Sequence, residues 1–131
     1  MRLLADTHIV LWRMTGDPRL SAKAIELMDA ASNTVEVSTV SVWEVAIKHR
    51  LDRPGTSAMP LSGSDFLGEL SAVGLTPLPI EAAHAVALDT LPMHHRDPFD
   101  RLLVAQAMTE PMILLTHDAG LAAYGDFVIV V

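Results

Sequence analysis

Cysteine is absent from the 131 residues, which excludes disulfides and any thiolate zinc site. No apolar run approaches the roughly 20 residues that a membrane span requires. The stretch before Asp6 is too short to serve as a secretory signal. These absences lead us to expect a soluble protein of the cytoplasm. Positive charge is also scarce: 9 Lys and Arg face 16 Asp and Glu, for a net charge of −7. A non-specific nucleic-acid binder usually shows a basic surface. The balance therefore argues against broad electrostatic binding, unless clustered acids are offset by a bound cation. No internal repeat or low-complexity segment is visible.

What is present reads as one α/β domain over residues 1–131, a length that buries roughly 68% of the unfolded chain's surface. Short apolar runs over Arg2–Asp6, Val35–Val37, Met112–Thr116 and Phe127–Val131 read as strands. Leu75–Ile80 is strand-like, but Pro77 and Pro79 confine it to an edge or to very few residues. Helices are expected over His8–Met14, from Ser21 to about Ala31, from a Ser62 or Ser64 cap to Val73, and over Glu81–Leu88. Ser41 followed by Glu44 forms a capping box that opens a helix to about Leu51. Asp97 and Pro98 begin another, as N-cap and first helical residue. A short helical turn is expected at Ala119–Tyr124, Arg53–Pro60 reads as a loop, and residues 53–62 are expected to be the mobile piece. Strands alternating with helices imply a covered, largely parallel sheet.

In open α/β sheets, ligands bind beyond the carboxyl ends of the strands. Asp6 ends the first strand, Glu44 lies in the helix after the second, Asp100 opens the helix that leads to the Met112 strand, and Asp118 follows that strand. Each has an ordinary structural role available: turn residue, capping partner, Lys48 partner at i+4, or helix-dipole partner. Their collection at one sheet edge favours a shared site. Carboxylates brought together repel unless a cation sits among them. An all-carboxylate set prefers Mg2+ or Mn2+, and such an ion suits phosphodiester hydrolysis. Thr7 and Thr116 stand beside two of the acids, placed to orient them or to act as plain strand-end threonines.

The segments Leu3-Leu4-Ala5-Asp6-Thr7-His8, Trp43-Glu44-Val45-Ala46-Ile47-Lys48, His95-Arg96-Asp97-Pro98-Phe99-Asp100-Arg101 and Leu115-Thr116-His117-Asp118 resemble the PIN-domain family, and within it VapC-like toxins of type II toxin–antitoxin modules. The resemblance runs from residue 3 to about residue 125. It implies a three-layer α/β/α sandwich and a Mg2+- or Mn2+-dependent ribonuclease silenced by a cognate VapB-like antitoxin. It also implies homodimers. Asp6, Glu44, Asp100 and Asp118 fall on the family's acidic positions, and Asp97 on an auxiliary one. Many relatives carry a glycine soon after the lysine of the Glu44 helix. Here the first glycine is Gly55.

Arg96 and Arg101 bracket the Asp97–Asp100 turn, and with Lys48 they are candidates for RNA phosphates. Lys48, Arg50 and Arg53 also suit solvated faces. His94 and His95, being adjacent, are poorly spaced for one ion, while His8 and His117 flank acids. Trp12, Trp43 and the 7 methionines read as core. A phosphoaspartate phosphatase would want a second Asp where His8 stands, and a receiver module would want a lysine late in the chain, yet none follows Lys48. A PIN-like binding module without catalysis would show a broken acid set, and this set is whole. A mean hydropathy of +0.35 with 50% hydrophobic residues suits a partner that covers an apolar groove.

Overall fold

The computed structural model describes residues 1–51 and 59–131. Arg53, Gly55 and most of the expected 53–60 loop lie outside the described residues. Strands β1 (Arg2–Ala5), β2 (Thr34–Val37), β3 (Ile113–Thr116) and β4 (Val128–Val130) form one sheet in the order β2-β1-β3-β4. Every pairing is parallel, with Ala5 level with both Val37 and Leu115. Helices α1 (Thr7–Thr15), α2 (Ala22–Asp29), α3 (Thr39–Leu51), α4 (Gly63–Ala72), α5 (Ala82–Ala87) and α6 (Pro98–Thr109) connect and cover it, with a 3-10 turn at Ala119–Tyr124.

Strand side chains alternate between faces, and each face is buried. Ala5, Val37 and Leu115 pack against α1 and α4 through Ile9, Val10, Phe66 and Leu70. Leu4, Leu114 and Val128 pack against α6 through Leu103, Val104 and Ala107. Two apolar layers enclosing one sheet give the expected α/β/α sandwich. Because all strands are parallel, their carboxyl ends lie at one edge, where the chain leaves β1 for α1, β2 for α3 and β3 for the 3-10 turn.

Several expectations need correction. Helix α3 begins at Thr39, not at a Ser41 cap. The Ser38 hydroxyl accepts the Val40 amide at 3.0 Å, so the helix is capped from the residue after β2. Ser41 therefore sits inside the helix, and Glu44 lies in its second turn rather than its first. Leu75–Ile80, by contrast, keeps to its expectation of an edge position or very few residues: Leu78 makes a single parallel bridge to Ser38, beside the edge strand β2. Trp12 is buried, but Trp43 is 53% exposed and rests edge-on against Phe99. Met1, Met93 and Met108 are likewise exposed rather than core. No described helix is long and apolar enough to cross a membrane.

Candidate metal centre

Asp6 leaves β1 and caps α1, accepting the Ile9 amide on Oδ1 at 3.0 Å. Its Oδ2 accepts the Thr116 hydroxyl from the end of β3. That same hydroxyl oxygen accepts the Asp118 amide at 3.0 Å. Thr116 thus ties together two acids from neighbouring strand ends. The carboxylate of Asp6 is only 3% exposed.

Glu44 reaches the same edge from α3, with Ser41 and Lys48 on its helix face at three- and four-residue spacing. It is 2% exposed. The Thr7 hydroxyl donates to Glu44 Oε1 at 2.6 Å and lies 2.9 Å from Ser41 Oγ. Lys48 Nζ pairs with Glu44 Oε2. Burial works against the Lys48 ammonium. The Glu44 hydrogen bond and the charges of Glu44, Asp97 and Asp100 outweigh it and hold Lys48 above its ordinary value. This lysine is the chain's own counterion at the centre.

Asp97 caps α6, taking the Phe99 amide at 2.8 Å and the Asp100 amide at 3.1 Å on one oxygen. This cap through Oδ1 fixes the first turn of α6, on which Asp100 stands. Burial, then the charges of Asp97, Asp6 and Glu44, push the Asp100 carboxyl up to about 7 against the pull of His95. Asp100 thus feels its burial first and the neighbouring acids second.

Asp118 follows β3. Its Oδ1 accepts the Gly120 amide at 2.8 Å and its Oδ2 accepts from His95 Nε2 at 2.8 Å. Burial raises this carboxyl, yet the Gly120 amide and His95 hold it below the usual carboxylate range. The Asp97 amide points at His95 Nδ1 at 3.2 Å. Nδ1 is therefore the acceptor, and Nε2 carries the proton given to Asp118. His95, Asp100 and Asp118 offer ligand atoms within 4.8 Å of one another.

The structure brings Asp6, Glu44, Asp100 and Asp97 into one electrostatic field. Asp118 joins it through Thr116 and through His95. The histidine is the member that sequence reading undervalued, because its position depends on a turn that the sequence does not spell out. Arg96 is exposed. Arg101 is half-buried, with Nη2 donating to the Leu91 carbonyl at 3.0 Å. Among the described residues, ligand atoms come within 4.8 Å of one another in two groups, His95 with Asp100 and Asp118, and Asp6 with His8 and His117, while Glu44 stands in neither. The carboxylates of the first group are of the kind that can hold a divalent cation.

Thr116→Val removes the hydroxyl that Asp6 and the Asp118 amide share. We expect a loss of about 1–3 kcal/mol of stability in urea and a weakening of Mn2+ binding by about tenfold. Unchanged affinity by calorimetry would contradict the orienting role.

The PIN domain family model matches residues 3–126. The fold is similar to VapBC2 from Rickettsia felis, solved bound to a DNA fragment from their promoter: TM-score 0.69, 16% identity, covering 100% of this chain and 98% of that one. It is also similar to FitAcB from Neisseria gonorrhoeae: TM-score 0.64, 17% identity, covering 98% and 96%. No curated protein matches the sequence.

Proposed function

We propose, since this chain belongs to the PIN domain family, that it is a divalent-metal-dependent ribonuclease acting as the toxin of a type II toxin–antitoxin module. The observation that carries the reading is geometric: Asp6 and Glu44 are buried at the strand ends, and beside them His95, Asp100 and Asp118 offer ligand atoms within 4.8 Å of one another. Lys48 pairs with Glu44, and the remaining carboxylates at the strand ends are costly to bury unless a cation is part of the working state. The fold's likeness to VapBC2 and FitAcB supports the toxin assignment and a VapB-like antitoxin as partner.

In this reading Asp6, Glu44, Asp100 and Asp118 hold the ion and are the catalytic acids. When bound, Mg2+ or Mn2+ supplies charge neutralisation at the scissile phosphate and lowers the pKa of the attacking water. Thr116 orients Asp6, Thr7 orients Glu44, and His95 orients Asp118. Asp97 is auxiliary: it holds the α6 terminus that aims Asp100. Lys48 and the exposed Arg96 meet the RNA backbone, with Arg101 behind them. A homodimer and the antitoxin would cover apolar surface such as Trp43, Leu67 and Val73, each exposed here. The site of action would be the cytoplasm.

Purified chain incubated with total RNA tests this. Cleavage should require Mg2+ or Mn2+, stop in EDTA, and fall by about 100-fold or more in Asp6→Asn. Cleavage that persists in EDTA, or folded protein that cuts no RNA with either ion, would overturn it.

A further inference from the structure

We propose that Asp6, His8 and His117 form a second cation site beside the carboxylate centre, one that takes a borderline transition-metal ion such as Zn2+, Co2+ or Ni2+. The site shares Asp6 with the proposed nuclease centre and does not otherwise depend on that reading.

Parallel register builds the site. Ala5 is level with Leu115, so Asp6 is level with Thr116, and His117 lies one residue further along. His8 sits in the first turn of α1, which Asp6 caps. The result is one ligand atom from each residue, all within 4.8 Å of one another. His117 Nδ1 is 3.9 Å from Asp6 Oδ2. The two imidazole rings meet edge-on at 5.3 Å. Ligands about 2 Å from a shared ion stand about 3–3.5 Å apart, so the side chains need to close by roughly 1 Å.

His49, His84 and His95 each make a ring hydrogen bond. Among the described residues, neither ring nitrogen of His8 or His117 has one. Two imidazoles and a carboxylate suit Zn2+, Co2+ and Ni2+, whereas Mg2+ takes oxygen ligands. The two sites therefore differ in chemistry. An ion held by the histidines draws Asp6 away from the carboxylate centre and so competes with Mg2+.

Trp12 supplies a readout, since its ring lies 4.5 Å from that of His117. The other of the 2 tryptophans, Trp43, can be replaced by Phe. Co2+ titrated into metal-free Trp43→Phe protein should quench Trp12 to saturation, with visible ligand-field absorption appearing in step. In the same background, His8→Gln and His117→Gln should each weaken Co2+ binding by at least about tenfold, while His94→Gln, at an exposed histidine outside both groups, leaves it within about twofold. Added Mg2+ should raise the Co2+ concentration needed. No quenching at millimolar Co2+ would overturn the proposal. So would a His117→Gln variant that titrates like its parent, or a His94→Gln variant that loses Co2+ while the His8 and His117 variants keep it. The His117 side chain is 37% exposed, so its replacement spares the core and decides the matter if His8→Gln fails to fold. RNA cleavage does not enter this readout. Failure here leaves the nuclease reading standing, and failure there leaves this one.

Discussion

Asp100→Asn should stabilise the metal-free protein at pH 8 while abolishing RNA cleavage. The Asp100 carboxyl lies at about 7 in the folded chain against an ordinary 3.8. Between those values the folded state holds a proton that the unfolded state has released. Stability therefore falls as pH rises through that window, and above pH 7 the full cost of the ionised carboxylate remains. The limit for one proton is about 1.4 kcal/mol per pH unit, and the slope approaches it only in the middle of the window between the two pKa values. Asparagine keeps the shape and has no charge to shed. Thermal melts from pH 5 to pH 8 should show a decline in wild type that the variant lacks. Mg2+ should stabilise wild type more at pH 8 than at pH 5.5 and should barely affect the variant. Cleavage should fall by about 100-fold or more, since the lost carboxylate is worth several kcal/mol of charge placement. Superimposable pH profiles would show that Asp100 does not carry the crowding of the site.

Lys48→Met should act in the opposite direction. Glu44 is buried, and Lys48 is its only cationic partner among the described residues. Removing one partner of a buried pair costs about 3–5 kcal/mol. Here the lysine side chain is 38% exposed and Thr7 keeps its hydrogen bond to Glu44, which reduces the expected loss to about 2–4 kcal/mol. The variant should regain more stability from Mg2+ or Mn2+ than wild type does, because an added cation replaces the missing one. Chemical denaturation with and without the ion checks both parts. Wild-type stability in the variant would mean that the pair contributes nothing.

Much of this was legible in the sequence because the signals are local. Leu3, Leu4 and Ala5 ending at Asp6, and Leu114 and Leu115 ending at Thr116, mark buried strands and their carboxyl ends. Asp97 before Pro98 marks a helix start whose third residue is Asp100. The misreadings came where chemically similar groups compete or where tertiary contacts decide. Ser38 and Ser41 are equally good caps on paper, and the position of β2 selects Ser38. Trp43 is apolar enough for a core, yet its place on α3 turns it towards Phe99 and solvent. Adjacent to His94, His95 is poorly spaced on paper for sharing one ion. Its role comes from a turn that aims Nδ1 at the Asp97 amide and Nε2 at Asp118.

The most direct test of the central claim is induced expression in a bacterium of wild type and Asp100→Asn side by side, following growth and RNA integrity, with soluble protein verified in both. The account predicts growth arrest and discrete RNA fragments with wild type, and neither with the variant. Arrest with intact RNA, or arrest that is equal in the two, would contradict a metal-dependent ribonuclease centred on Asp100.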